Sequence, residues 1–436
     1  MDDLVFVSLE NWDEIWRRNL FVVAELARRF PDRKIVFVGL PLDVTHGLRH
    51  GKIGSFLKAL RRPSLPTPPG LPNVYLCNPA KWLPNSLALG RRINQWMERR
   101  QLRAVCRSLN LRSPVLWINP QYSVHMAGKL NESCVIYDIT DDWISLNQQE
   151  RMRRLVIADD DRLLRVADAV IVCSERLFEL KRSRAKRLYL IPNGVEVERY
   201  RFVCAQSPGD PGFAEAEEKL PVPEKPQGWP KPVFGYTGTL HPDRVDTDLI
   251  LALASAYPSG TIALIGPNLL RPEDRARLEQ FPNVRIVGAV PYAELQSWMR
   301  AFDVCIVPHQ VTPFTESLNP LKLFEYLAAG LPVVSTDVAG FRDFADREAP
   351  GAEGRFVYLA RGERGGERES AFLGACGLAL RERADHNSYT LLSAARRKEA
   401  EGHSWKARVD AILDAIDRDV LGNKGAGPEA QTSQQR

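Results

Sequence analysis

Short apolar runs of strand character alternate with amphipathic helical stretches along most of this chain, in two separate series. The first series is "LVFVSL", a helical pattern from about Trp12 to Phe30, "KIVFVGL", then "PVLWINP", "CVIYDIT", "AVIVCS" and "LYLIPNG". The second is "PVFGYTGTL", "TIALIGP", "VRIVGAV", "DVCIVPH", "LPVVST" and "GRFVYLA". Between them, residues 203–231 are rich in Pro, Gly, Glu and Lys and lack periodicity. Continuous apolar strands joined by helical crossovers make parallel sheets covered on both faces. The expected class is therefore α/β, with two doubly wound parallel-sheet domains and a cleft between them.

The first domain is expected over residues 1–202, closed by an amphipathic helix at about 404–420 that contains "SWKARVDAILDAI". Residues 203–231 read as a linker or excursion, 232–403 as the second domain, and 421–436 as a disordered tail. Ligands of open α/β sheets bind at the carboxyl ends of the strands. The residues that follow each strand are therefore the candidates.

The most informative of these segments is "NPLKLFEYLAAGLPVVST", residues 319–336. Asn319 is a good N-cap, Pro320 suits the first helical position, and Gly330 with Pro332 ends the helix. Lys322 and Glu325 stand in its first turns, where free N–H groups and the dipole favour an anion. Two readings follow. One is a surface pair worth roughly 0.2–0.5 kcal/mol. The other is a phosphate held by Lys322 and the helix N-terminus, with Glu325 accepting hydrogen bonds from sugar hydroxyls.

Other strand ends supply further candidates. "GYTGTLHPDRVD" offers Gly235 and Gly238 for close backbone approach, with Thr239 and Arg244 as donors. It is neither a Walker loop nor a G-x-G-x-x-G. "IGPN" with Gly266, and "VGAVPYAEL" with Val290 and Tyr292, suit a flat base. In "PHQVTPFTESLNP", His309, Glu316 and Ser317 lie where a sugar would reach the phosphate. "IYDITDDW" ends a strand with Asp138, Asp141 and Asp142, and paired carboxylates there suit a general base. Asp159 to Asp161 read as a solvated helix face, and Asn193-Gly194 as a structural turn.

Composition sets limits on the partners. Of 436 residues, 44% are hydrophobic and 26% charged, ordinary for a soluble globular chain. No apolar run reaches the ~18 residues of a membrane-spanning helix, and "MDDLVFVSLENWDE" does not resemble a secretory signal. The seven scattered cysteines read as reduced core residues of a cytoplasmic protein, with no metal site. The net charge of +5 divides into +10 over residues 1–200 and −5 over the rest. Residues 46–112 hold 13 basic residues and one acid, Glu98, interleaved with Phe56, Leu57, Leu60, Trp82 and Trp96. That stretch suits an anionic membrane surface at the inner face of the plasma membrane, nucleic acid, or plain solvation. It carries no recognised nucleic-acid module, and nucleic acid is not expected as a partner.

Taken together, "GYTGTL", "LIGP", "NVRIVGAVPYAELQSWMRAFDVCIVPH", "NPLKLFEYLAAGLPVVST" and the "SW" before the closing helix resemble the nucleotide-binding domain of GT-B glycosyltransferases. "YDITDDW", "VADAVIVCSERL" and "LIPNGVE" resemble the first domain of bacterial envelope and exopolysaccharide (teichuronic-acid-type) members of the retaining group 1, family 4 kind. The resemblance implies two Rossmann-like domains and a metal-independent hexosyltransferase. The donor would be a nucleoside-diphosphate sugar, its base unidentified and UDP favoured, with no other cofactor. The acceptor would be a saccharide or a lipid-linked saccharide, bound by the first domain.

By the same resemblance Lys322 meets the diphosphate and Glu325 the ribose hydroxyls. Gly238 and Thr239 approach the phosphates, and residues 287–292 surround the base. Arg244, Gly266, His309, Ser317, Asn319 and Leu323 complete the donor side. Many retaining members carry two glutamates eight residues apart across this helix. Here the position eight before Glu325 is Ser317, and Glu316 is displaced by one. The stereochemical outcome stays open: an inverting enzyme would draw its base from "YDITDDW", and a retaining one would use those carboxylates to orient the acceptor. Two other functions share this sequence pattern, a nucleotide-sugar epimerase and a non-catalytic sugar-nucleotide-binding subunit.

Overall fold

The computed structural model describes residues 2–44, 65–85, 87–146, 148–206, 209–210, 212–345, 355–362 and 365–416. The basic and apolar residues Arg49, Lys52, Phe56, Leu57, Lys58, Leu60, Arg61 and Arg62 lie outside the described residues, as does the tail from 421 on. The chain divides into two compact units, Met1–Pro192 with Arg408–Arg436, and Asn193–Ala407.

The first unit holds β1 (Leu4–Val7), β2 (Ile35–Val38), β3 (Leu42–Asp43), β4 (Val74–Cys77), β5 (Ala80–Lys81), β6 (Val115–Ile118), β7 (Cys134–Ile139), β8 (Ala169–Val172) and β9 (Leu188–Leu190). Seven of these form a parallel sheet in the order β4-β2-β1-β6-β7-β8-β9, while β3 pairs with β5. The central strands are buried along their whole length, because helices cover both faces. Phe6 on β1 stacks between Phe37 and Trp117 of its two neighbours, with ring centroids 5.9 and 5.3 Å away. The strand order reverses direction between β1 and β6, so the switch-point crevice of this sheet opens where those two strands end.

The second unit holds β10 (Val233–Thr237), β11 (Thr261–Ile265), β12 (Val284–Gly288), β13 (Val304–Val307), β14 (Val333–Thr336) and β15 (Tyr358–Ala360), all parallel, in the order β12-β11-β10-β13-β14-β15. Its switch point lies between β10 and β13. The helix Leu321–Ala329 buries Leu323, Phe324, Tyr326 and Leu327 beside this sheet, and each such side chain contributes roughly 1.5–3 kcal/mol.

The stretch read as a linker is folded. It contains the helices Phe213–Lys219 and Glu224–Gln227, and Val203 and Trp229 join the core of the second unit. Polar residues hide this, because the ties are side chain to backbone. Arg300, itself buried, donates to the carbonyls of Ala205, Ala216 and Leu220. The unit boundary falls at 192/193 rather than 202, and the chain returns to the first unit within the helix Trp405–Ile416. Asp160 corrects a further expectation. It does not face solvent but is buried, accepting from Lys181 Nζ at 2.7 Å and from the Tyr137 hydroxyl at 2.8 Å.

Candidate functional site

Three glycines knit together the carboxyl ends of β10, β11 and β12. Gly238, Gly266 and Gly288 have φ of +130°, +146° and +90°, conformations that other residues rarely adopt. Gly238 N–H donates to the Ile265 carbonyl at 2.7 Å, and Gly266 N–H to the Gly288 carbonyl at 2.8 Å. A Cβ on Gly266 would lie 2.2 Å from the Gly238 oxygen. A Cβ on Gly238 would lie 2.5 Å from Lys322 Cε and 2.6 Å from its Nζ. The bare backbone of this turn is what leaves room for the ammonium. Gly235 differs from the expectation. Its Cβ would overlap the Phe302 ring at 2.1 Å, so it serves packing and not ligand approach.

The helix that carries Lys322 begins one residue later than its sequence suggests. Pro320 occupies the N-cap position, and no side chain caps the helix. Asn319 is instead engaged with the Asn193-Gly194 turn: its Oδ1 accepts from Asn193 N–H at 2.8 Å, and its carbonyl accepts from Asn193 Nδ2. No side chain among the described residues caps the first N–H groups of the helix, and the Leu323 N–H turns back to the Pro320 carbonyl at 3.2 Å. The Tyr326 hydroxyl receives the N–H and Oγ1 of Thr237 at 2.8 and 3.0 Å, pinning the helix to the end of β10.

Lys322 Nζ stands 5.1 Å from the Tyr236 ring centroid, and neither Lys322 nor Arg244 makes an ion pair among the described residues. Burial, and then the Arg244 charge, push the Lys322 ammonium down to about 8, against the pull of Glu325. His309, buried after β13, is held well below its usual range by burial, Lys322 and Arg244, so its ring is neutral. Its Nε2 lies 3.5 Å from the Tyr236 hydroxyl. Glu325 is 9% exposed. Burial raises its pKa, against Lys322 and a hydrogen bond from Tyr200. Two cations without a short ion pair among the described residues, Lys322 and Arg244, thus stand beside a glycine turn and a helix N-terminus, with Glu325 as the nearby opposing charge.

The remaining donor-side residues fall into two groups. Thr239 and Val290 are half-buried near strand ends. Leu323 is buried in the core and can offer only backbone. Ser317 is fully buried, its Oγ donating to the Phe314 carbonyl at 2.7 Å, which makes it a turn residue. Tyr292 departs from the flat-base platform expected of it. Arg199 covers its ring at 4.8 Å, its hydroxyl meets that of Tyr200 at 3.4 Å, and only 9% of the residue is exposed. Glu316 is bridged by Arg342 Nη2 at 3.3 Å, and Asp337 orients the same guanidinium through Nε at 2.7 Å. Arg342 was invisible to spacing arguments, since it follows Glu316 by 26 positions.

In the first unit the three aspartates separate. Asp138 is 0% exposed and accepts from Arg18 Nε at 3.2 Å. Asp142 is buried and caps its own turn through Ser145 Oγ and Ile144 N–H. In this structure both carboxylates are buried and engaged within the unit, whereas a base needs a carboxylate within reach of the substrate proton. Asp141 alone is half-buried.

A carboxylate that the sequence reading passed over stands nearby. Glu10 follows β1, accepting from Arg17 Nη1 at 2.8 Å and Asn19 Nδ2 at 3.2 Å. Asn19 also reaches Asn119, just after β6, at 3.0 Å, so Glu10 belongs to the switch-point crevice of this sheet. Attention to residues after the first strand would have found it. Burial raises Glu10 to about 7, with Arg17 opposing and Asp13 and Asp141 adding. A carboxyl raised by folding contributes stability that is complete below its usual pKa and lost as pH rises through the folded value. Between pH 5 and 8 the wild type should lose on the order of 2–3 kcal/mol relative to Glu10→Gln. Urea unfolding of both proteins at the two pH values checks this, and parallel pH profiles would refute it.

All seven cysteines are free and buried. Among the described residues no group of three or more His, Cys, Asp or Glu is placed to hold a metal, and no helix is long and apolar enough to cross a membrane.

Two parallel α/β units, each a doubly wound sheet, make up the GT-B fold. Residues 231–361 match the family model described as glycosyl transferases group 1. TuaH of Bacillus subtilis (strain 168), a glycosyltransferase assigned to teichuronic acid biosynthesis, is 30% identical over 216 residues, 47% of this chain and 50% of that protein. The chain spans 50–65% of the length of the curated relatives it matches. Sucrose-phosphate synthase from Thermosynechococcus elongatus superposes with a TM-score of 0.67 at 17% identity, over 97% of this chain and 100% of that one. Anabaena Alr3699/HepE, solved with UDP and glucose, gives 0.63 at 15% identity, over 96% and 100%.

Proposed function

We propose that the protein is a glycosyltransferase that takes a sugar from a nucleoside-diphosphate donor bound by its second unit. The observation that carries this reading is the pair of cations, Lys322 and Arg244, which make no short ion pair among the described residues and stand beside Gly238 and the helix N-terminus that no side chain caps. A diphosphate supplies an anion for both. When the glycosidic bond breaks, negative charge grows on the leaving phosphate, and cations and N–H groups already in place stabilise it without reorganisation. Glu325, kept near Lys322 and Tyr200, accepts hydroxyl donors of the ribose. Neutral His309 offers one nitrogen as donor and one as acceptor to the sugar. The charge supply on this side requires no metal, and chelation is expected to leave activity intact.

The UDP-bound neighbour supports UDP as the first diphosphate to test. The TuaH relative supports a saccharide or lipid-linked acceptor in cell-envelope polysaccharide assembly, taken by the first unit. The test is a thermal-shift panel of UDP, GDP, dTDP, ADP and CMP on the wild type and Lys322→Met. A diphosphate at 100 times its dissociation constant should stabilise the wild type by about 2.7 kcal/mol. Because Lys322 titrates near 8 in the free protein, affinity should fall above that pH, by up to about tenfold per unit. Lys322→Met should bind weakly and without that dependence. No diphosphate hit on folded protein would sink the reading.

A further inference from the structure

The helix Ala88–Ser108 has an outward face that the donor site does not use. Its inward face is fixed by Asn94, Glu98, Leu102, Val105 and Cys106, all buried. Asn94 Oδ1 accepts the N–H groups of Trp82 and Leu83 at 3.1 Å, and Glu98 pairs with His125 at 3.0 Å. Opposite lie Leu89, Ile93 and Trp96, then Arg100, Arg103 and Arg107, at the spacing of one continuous helical stripe. Leu87, Leu89, Ile93 and Trp96 are 65%, 69%, 37% and 53% exposed. Large apolar residues exposed singly are ordinary, but four within ten positions form a patch.

The charge on this helix selects what the patch meets. It carries six arginines and a single acid, Glu98, which is buried in its pair with His125. The stripe is therefore apolar at its start and cationic at its end, and the exposed Arg92 adds charge beside the apolar part. An apolar protein surface would satisfy the leucine and isoleucine but leave the arginines without counter-ions. A nucleic acid would satisfy the arginines but leave Leu89 and Ile93 in water. An anionic bilayer satisfies both. The acyl boundary receives Leu89 and Ile93, Trp96 sits at headgroup level, and the arginines keep their stems on the surface and their guanidinium groups on lipid phosphates. Arg100 already lies over the Trp96 ring at 5.5 Å, which keeps aromatic and cation at one depth.

We infer that the helix Ala88–Ser108 is a peripheral docking element for an anionic lipid surface, with Leu89, Ile93 and Trp96 inserted and its arginines on the headgroups. This is independent of the donor-site reading, since it concerns the other unit. Docking would bring the first unit to where a lipid-linked acceptor is presented.

The test is flotation of the full chain with vesicles of phosphatidylcholine alone and of phosphatidylcholine with phosphatidylglycerol. Binding is expected only with the anionic lipid and should weaken with salt. Two variants are compared, Leu89→Ser/Ile93→Ser/Trp96→Ser and Arg92→Glu/Arg100→Glu/Arg103→Glu. Removing each arginine should cost about fivefold in vesicle affinity, so the second variant falls below detection. The apolar variant should lose at least tenfold while keeping the wild-type circular dichroism spectrum and melting transitions, which report a folded protein. Wild-type binding to neither vesicle overturns the inference, as does binding that both variants retain. A single-stranded RNA shift that the arginine variant alone abolishes, without vesicle binding, would reassign the face to nucleic acid. A concentration-dependent dimer dissolved by the serine variant, without vesicle binding, would reassign it to a second copy of the chain.

Discussion

Gly238→Ala is expected to lose nucleoside-diphosphate affinity by about 100-fold, an effect out of proportion to a single methyl group. The added Cβ would fall 2.5 Å from Lys322 Cε and 2.6 Å from Nζ. The end of a lysine can move, so the fold survives, but the movement carries the ammonium away from the uncapped helix N-terminus. A charge-assisted hydrogen bond is worth about 1.5–3 kcal/mol, or roughly 10- to 150-fold in affinity. Backbone strain at φ +130° adds its own cost to stability, of order 1–3 kcal/mol. Gly70→Ala separates the two effects. Gly70 also has positive φ, at +74°, but a Cβ there meets nothing within 4 Å. It should lower stability and leave diphosphate binding untouched. Calorimetric titration of both variants decides the matter: wild-type affinity in Gly238→Ala would mean that Lys322 does not hold the phosphate.

The two series of apolar strands were readable from sequence because parallel strands buried on both faces have to be continuously apolar, and "LVFV", "AVIV" and "VCIV" are. The glycine turn and the Lys322–Glu325 helix were readable for a related reason. Charges in an otherwise apolar helix are costly to bury, so their presence singles this helix out as a candidate site. What did not show was pairing between distant residues. The same three letters, Asp138, Asp141 and Asp142, have three different fates, because Arg18 lies 120 positions from Asp138 and no local pattern connects them. Arg342 behind Glu316 and Arg199 over Tyr292 escaped for the same reason. The folded segment at 203–231 escaped because Arg300 organises it through backbone carbonyls, which carry no sequence signal.

The support beneath the donor helix makes the second large prediction. Behind Leu321–Ala329 lies the helix His386–Glu401, and the two come close enough that a Cβ on Gly330 would meet Ser393 Oγ at 2.3 Å. That supporting helix is anchored by Arg396, which is fully buried. Its Nη1 and Nη2 donate to Glu382 Oε1 and Oε2 at 2.6 and 2.8 Å, and its Nε donates to the Phe356 carbonyl at 3.1 Å. The Tyr358 hydroxyl adds a bond to Glu382 Oε2 at 2.8 Å. Each of the three guanidinium nitrogens has an acceptor, with Nη2 also donating to the Arg355 carbonyl at 2.7 Å, so the pair is stable as built. Removing one partner strands the other charge in the core. Glu382→Ala should therefore cost about 3–5 kcal/mol, a drop of roughly 10 °C in the melting transition for a unit of this size. The chain has two units, so the relevant transition is the one that UDP raises. Because the supporting helix sets the position of Lys322, the variant should also bind UDP more weakly at a temperature where it is still folded. Glu382→Leu combined with Arg396→Met removes both charges and should recover most of the loss. A Glu382→Ala loss no larger than the ~0.5 kcal/mol of an ordinary surface change would show that this ion pair does not hold the donor helix in place.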